Sequence, residues 1–139
     1  MKSLFFIFFI SLTTLSLSLL GDDIAKCAIE QLGKPYKMGG IGPNSFDDFG
    51  LVFYCMQTVN NIPCSIDRKR QANQGKKVSE LYPGDVLYTY DKWYNLVGAI
   101  IYLGNSEVIY TTGYLNQGVI KSTLSNLNME NHYDYRRNW

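Results

Sequence analysis

The sequence predicts an α+β domain in which helices come first and an antiparallel sheet follows. Two segments with helical spacing of apolar residues occupy the first half of the chain, and five short β-rich runs separated by turn residues occupy the second half. This order is typical of α+β proteins and differs from the alternation of α/β folds. The chain has 139 residues, which is the length of one compact domain.

The N-terminal segment has the layout of a secretory signal. Lys2 is followed by an uncharged, mostly apolar run over residues 3–20. We therefore assign residues 1–21 to a signal peptide and residues 22–139 to a single domain, and we expect a secreted or exported (lumenal, periplasmic or extracellular) protein. The alternative is a retained membrane anchor, because the apolar run just reaches the length of a short spanning helix and no A-x-A-like cleavage site is visible.

Charge and motif content restrict the partners. Removal of the signal takes the net charge from +1 to about zero, and the most basic run, residues 68–70, is short and reads as a solvated turn or helix end. We expect no nucleic-acid partner, and contact with a membrane only if the N-terminal segment is retained. No zinc-type cysteine pair and no phosphate-binding glycine loop are present, so we predict neither a metal nor a cofactor.

The region after the signal carries three cysteines, Cys27, Cys55 and Cys64. An exported chain permits disulfides, and an odd count leaves at least one thiol unpaired within the chain. A bridge between Cys55 and Cys64 and a set of buried free cysteines are both compatible with the sequence.

The elements can be placed approximately. A first helix is predicted over residues 23–32, and a second from near Phe46 to about Asn60, with Ser45 as a candidate N-cap. The β-rich runs are VLYTY, LVGAIIYLG, EVIYTT, GVIKS and HYDYRR.

The run AIEQLGKPYKMGGIGPNSFDDFGLVFYCMQ, residues 28–57, closely resembles the NlpC-type superfamily of papain-like peptidases that cut peptide stems of bacterial peptidoglycan. There the stretch reads approximately A-x-x-Q-L-G-x-P-Y-x-W-G-G-x-x-P-x-x-F-D-C-S-G-L-V. The likeness continues through residues 71–78, 82–85 and 100–105. It implies a papain-like NlpC-type fold, with N-terminal helices packed on a C-terminal antiparallel sheet of about five or six strands.

The residues that the resemblance makes catalytic are replaced. The family's cysteine, which follows F-D, falls on Asp48, and the next residue, usually serine, is Phe49. Counting back from Gly104 puts the family's histidine on Gly98, and the third polar position, twelve residues later, on Tyr110. Because a cysteine peptidase needs a nucleophile, a base and a group that orients the base, we predict no catalytic residue and a pseudoenzyme, not an enzyme.

The same positions are the candidate binding residues. Tyr36 corresponds to a tyrosine beside the family's nucleophile, and aromatic side chains follow in the later loops. Asp48 has a structural alternative, stabilisation of a helix N-terminus, and Tyr110 has another, filling the space that Gly98 leaves. The candidate binding residues are Tyr36, Asp47, Asp48, Trp93, Tyr94 and Tyr110.

Three functions are open at this level. The favoured hypothesis is an exported protein without catalytic activity that binds a cell-wall peptide, a glycan or a protein partner on the altered scaffold. The alternatives are a structural or assembly component that packs against other protein chains, and a residual peptidoglycan hydrolase with atypical chemistry.

Overall fold

Three α-helices precede a six-stranded antiparallel sheet in the computed structural model, which describes residues 19–139. Most of the predicted signal segment, residues 1–18, lies outside the described residues. Within residues 19–139, no helix combines the length and the apolar character that crossing a membrane requires. The helices are α1 (residues 19–30), α2 (Asp48–Asn60) and α3 (Arg68–Asn73).

Helix α1 lies earlier than predicted, since it is already formed at residue 19 and ends at residue 30. Gly21 lets it approach the sheet, because a Cβ atom there would overlap the Pro83 carbonyl oxygen and the Trp139 ring. Leu20 packs against the main core. The predicted boundary between residues 21 and 22 therefore falls inside α1.

Helix α2 begins at Asp48 with Asp47 as its N-cap, not Ser45. Phe46 is extended and bridges Tyr36 and Ile41, so it cannot belong to the helix. The Asp47 side chain accepts a hydrogen bond from the Gly50 amide, which is the bond that an N-cap residue makes. The bridges of Phe46 hold residues 36 and 41 of the preceding loop beside the start of α2.

The sheet has the order β1-β6-β2-β3-β4-β5, with every neighbouring pair antiparallel. The α+β class and the strand number are confirmed, and all five predicted runs are strands. The sixth strand, missed from the sequence, is a pair of lysines that pairs with Arg136 and Arg137. The strands are β1 (Lys76–Lys77), β2 (Val86–Tyr90), β3 (Leu96–Gly104), β4 (Glu107–Thr112), β5 (Gly118–Thr123) and β6 (His132–Arg137).

The core lies between the helices and one face of the sheet. Ile24 from α1 and Leu51 from α2 join Tyr88, Ile101 and Ile109 from the strands in one buried cluster. Burial of such side chains contributes about 1.5–3 kcal/mol each. This packing holds the start of α2 against the middle of the sheet, where the site described below forms.

Cys27 and Cys55 form a disulfide that joins α1 to α2, with 5.7 Å between their Cα atoms. Cys64 is the free cysteine of the described residues, and burial raises the pKa of its thiol to about 12. A bridge between Cys55 and Cys64 is therefore wrong. Cys27 and Cys55 can pair because α1 and α2 pack side by side. The spacing of cysteines in the sequence does not reveal this contact.

Candidate functional site

Asp48 stands where the first turn of α2 meets strand β3. Its Oδ2 atom accepts a hydrogen bond of 3.1 Å from the Ala99 amide. A Cβ atom built on Gly98 would lie 3.0 Å from the same oxygen. The fold thus brings together two of the positions that the sequence alignment selected, although they are fifty residues apart in the chain.

Burial raises the pKa of the Asp48 carboxyl from its ordinary 3.8 to about 6. The Ala99 N–H lowers the pKa by stabilising the charged form, the neighbouring Asp47 charge raises it, and Arg68 lowers it. Desolvation is the largest of these influences. A carboxyl group of this kind exchanges its proton near neutral pH, which is the range useful for acid–base chemistry.

Two adjoining cavities of about 230 Å³ and 260 Å³ flank Asp48. Both are lined by Asp48, Val97, Thr111 and Thr112. The smaller also has Gly98 and Tyr110 in its wall, and the larger adds Tyr36, Arg68 and Gly113. We refer to the two together as the Asp48 cavities.

Tyr110 does not close this space. Its ring packs with Leu87, Ile100 and Val108 on the sheet face that points away from the helices, and it borders the smaller cavity. Filling of the space left by Gly98 is therefore incomplete. Tyr36 lies on the opposite side, where its ring packs against Gly113.

Asp47 is held by the start of α2 and the loop before it. Asp47 is buried, with 5% of its surface exposed, and its Oδ1 accepts a 2.6 Å hydrogen bond from the Gly50 amide. Its Oδ2 accepts from the Gly39 amide at 3.0 Å and pairs with Arg68 at 3.3 Å. Asp47 thus caps α2 and fixes the loop at Gly39, and its candidacy as a binding residue stays a prediction.

Arg68 is a site residue that the sequence interpretation missed, because residues 68–70 read as a solvated turn. Besides its ion pair with Asp47, its guanidinium lies 4.9 Å from the centroid of the Phe49 ring. Phe49 itself is buried and stacks on Tyr88 at 6.3 Å. A pairing across 21 positions of sequence leaves no local signal, so only the fold exposes it.

Trp93 and Tyr94 lie apart from the Asp48 cavities, on the turn between β2 and β3. Both are exposed, at 71% and 70%. Tyr94 borders a separate groove that Arg68 also lines, so it remains next to the site, whereas Trp93 lines none of the cavities described here. The chain's single histidine, His132, is on β6 and stacks on Tyr94 at 4.3 Å.

Among residues 19–139, no group of three or more histidine, cysteine, aspartate or glutamate side chains is placed to hold a metal ion. The side chains around Asp48 offer one carboxylate, hydroxyl groups and a guanidinium. This set can bind amide and charged groups of a peptide and can transfer a proton through Asp48.

The start of α2 packs against the central strands of an antiparallel sheet, which is the arrangement that the sequence resemblance predicted. The sequence profile of the NlpC/P60 family matches residues 33–137, and the chain belongs to that family. The suspected superfamily and its fold are thereby confirmed.

Relatives in this family carry an enzymatic description. A protein of Mycobacterium tuberculosis named as a probable endopeptidase is 33% identical over 92 residues, which cover 66% of this chain and 23% of that protein. A probable endopeptidase of Corynebacterium glutamicum is 37% identical over 94 residues, covering 65% and 42% respectively. The chain thus spans less than half the length of these curated relatives.

Solved structures support the fold. NlpC2 from Trichomonas vaginalis superposes with a TM-score of 0.77 at 21% identity, covering 86% of this chain and 46% of that one. RipD from Mycobacterium tuberculosis, described as a non-catalytic NlpC/p60 domain protein adapted to peptidoglycan binding, superposes with a TM-score of 0.67 at 16% identity, covering 85% and 96%.

The prediction that the chain is not an enzyme is contradicted by these findings. The curated relatives that the chain matches are named as probable endopeptidases, and this description is the finding that overturns the prediction. The prediction equated loss of the cysteine and histidines with loss of chemistry. The site has a carboxyl group, that of Asp48, with a pKa of about 6.

Proposed function

We propose that this chain is an exported member of the NlpC/P60 family that binds a peptide stem of peptidoglycan in the Asp48 cavities. The observation that carries the proposal is the adjoining pair of cavities centred on Asp48, at the position of the family's nucleophile. The apolar segment over residues 3–20 supports export, and the description of RipD as adapted to peptidoglycan binding supports the ligand class.

The polar groups of the cavities suit a peptide backbone. A peptide offers N–H donors and C=O acceptors, and the site presents a carboxylate acceptor on Asp48 and guanidinium donors on Arg68 within one wall. The Ala99 amide holds the Asp48 carboxylate in place before a ligand arrives. Such preorganisation reduces the entropy lost on binding.

Hydrolysis of the bound peptide is a second candidate function, favoured by the raised pKa of Asp48. In this reaction a water molecule adds to the amide carbon while its proton passes to the Asp48 carboxylate. The C–N bond then breaks, and the same proton is delivered to the leaving amine. One carboxyl group thus acts in turn as base and acid.

Both functions can be tested in one titration. Isotope-labelled domain is mixed with a defined disaccharide–peptide fragment of peptidoglycan, amide spectra are followed, and the ligand is analysed by chromatography for cleavage. We expect saturable shifts around Tyr36, Asp48 and Tyr110, reduced in Asp48→Asn and unchanged in Asp23→Asn, which removes an exposed carboxylate from α1.

The outcomes separate the functions. Cleavage that disappears in Asp48→Asn supports hydrolysis, and saturable shifts with intact ligand support binding alone. If no shifts occur at ligand concentrations of about 1 mM, where even a weak complex of about −4 kcal/mol is half formed, peptide binding is wrong and the assembly alternative gains support.

A further inference from the structure

A third and larger cavity, of about 600 Å³, lies beside the Asp48 cavities. One wall is the exposed side of α3 and the other is the hairpin of β2 and β3. Its lining includes two cations and no carboxylate. We call this cavity the Arg68 groove, and its lining residues are Arg68, Lys69, Asn73, Tyr90, Tyr94, Asn95 and Leu96.

The α3 wall is fixed by a buried glutamine. Gln71 is fully buried, and its Nε2 donates 3.0 Å hydrogen bonds to the carbonyl oxygens of Phe49 and Ser65. The hydroxyl of Tyr88 donates to its Oε1 at 3.2 Å. Lys69, two positions before Gln71 and on nearly the opposite face of α3, therefore projects from a backbone that is anchored to the core.

The hairpin wall is also held in place. The carboxylate of Asp91 accepts hydrogen bonds of 2.9 Å from the amides of Trp93 and Asn95, which stabilises the turn with Tyr94 at a φ of 64°. The Tyr94 ring stacks on His132 with only 6° between the ring planes. Asn95 Nδ2 also donates a 3.0 Å hydrogen bond to Asp91, so the turn and the Asn95 amide are held in place by Asp91.

The two cations of the groove differ in whether they have an ion-pair partner. Arg68 already pairs with Asp47. Lys69 has no ion-pair partner among the described residues, since the salt bridges there involve other side chains. Lys69 is therefore the uncompensated charge of the groove, and a negative ligand group is the partner that complements it.

We propose that the Arg68 groove binds a carboxylate group of the ligand, with Lys69 as its main charged contact. Asn73 Nδ2 already donates one N–H to the Lys69 carbonyl oxygen and Asn95 Nδ2 one to the Asp91 carboxylate, so the second N–H of each amide is the further donor. The inference rests on the proposed function, because Arg68 lines both the groove and the larger Asp48 cavity. A single extended ligand can therefore occupy the two sites together. Peptide stems and acidic sugars both carry carboxylates, and the test below distinguishes these sources.

The test compares ligands that differ in one charge and variants that differ in one position. Dissociation constants are measured by calorimetry for a free stem peptide with its terminal carboxylate, for the same peptide as its amide, and for a uronic-acid oligomer without peptide. The proteins are wild type, Lys69→Gln and Arg70→Gln. Arg70 neighbours Lys69 on α3 but does not line the groove, so it controls for net charge.

We expect amidation and Lys69→Gln each to weaken binding of the stem peptide by roughly two- to fivefold, as loss of one exposed charge contact does. Lys69→Gln should leave the amide's affinity unchanged, and Arg70→Gln should leave the affinity of both peptides unchanged. Equal weakening by the two variants, or equal affinity for acid and amide, overturns the groove assignment.

Failure of the groove and failure of the proposed function give different results. Stem-peptide binding that is insensitive to Lys69 and to amidation rejects the groove and leaves peptide binding in the Asp48 cavities intact. Lys69-dependent binding of the uronic-acid oligomer alone supports the groove with a sugar as the source and rejects peptide binding. Absence of binding by all three ligands rejects both.

Discussion

Oδ2 of Asp48 lies 3.0 Å from the point where a Cβ atom on Gly98 would stand. The same oxygen is held by the Ala99 amide, so the carboxylate occupies space that any larger side chain at residue 98 would enter. The absence of a side chain at Gly98 therefore leaves room for the Asp48 carboxylate. A larger residue at position 98 should displace that carboxylate.

Gly98→Ala should raise the pKa of Asp48 above 6. The Ala99 N–H favours the charged form of Asp48, and the added methyl group pushes the carboxylate away from it. The methyl group also removes water from the cavity, and both changes raise the pKa. The pKa is read from the side-chain carboxyl carbon in an NMR titration, with the Ala99 amide shift as a report on the hydrogen bond. An unchanged or lower pKa would show that the carboxylate moves aside while it keeps its hydrogen bond to Ala99 and its hydration.

Asp48→Asn should stabilise the domain at neutral pH. The folded-state pKa of Asp48 is raised to about 6, so the stability linked to its protonated form is fully present below about pH 4 and is lost as the pH rises through 6. The wild-type protein therefore carries a cost of at most about 3 kcal/mol at pH 8. Asparagine avoids the charge and can still accept the Ala99 hydrogen bond.

Urea unfolding of wild type and Asp48→Asn at pH 4 and pH 8 measures this difference. We expect a gain of about 1–2 kcal/mol at pH 8 that shrinks toward zero at pH 4. The exposed Asp23→Asn serves as the control and should show no comparable pH-dependent gain. A loss of stability in Asp48→Asn at pH 8 would contradict the burial-driven pKa.

Asp47→Ala should be among the more damaging single changes at the site. It removes the N-cap of α2, the acceptor for the Gly39 amide and the partner of Arg68, and it leaves the buried Gly50 N–H without its acceptor. We expect a loss of about 2–3 kcal/mol in the free energy of unfolding. Asp67→Ala removes the exposed N-cap of α3 and should cost only about 1 kcal/mol; equal losses would be inconsistent with a special role for Asp47.

The disulfide assignment predicts a specific alkylation pattern. In denaturant without reductant, only Cys64 should react with iodoacetamide, and after reduction all three cysteines should react. Mass spectrometry of the peptides identifies the modified residues. Replacement of both Cys27 and Cys55 by alanine should lower stability by about 3–4 kcal/mol, given the 28-residue separation of the pair. Labelling of Cys27 or Cys55 before reduction would rule the pairing out.

The fold class and the family could be predicted from the sequence alone. Alternating apolar residues and turn signals located five strands, because those patterns depend on neighbours in the chain. The resemblance aligned Asp48 with the family's cysteine and Gly98 with its histidine, and the structure puts the two residues side by side.

Features that depend on contacts between distant parts of the chain became visible only in the folded structure. The cap by Asp47, the pairing of Cys27 with Cys55 and the place of Arg68 in the site each join segments separated in sequence. The raised pKa of Asp48 arises mainly from burial, which only the folded chain creates. Local patterns cannot encode these properties, because each is set by which surfaces the helices and the sheet bring together.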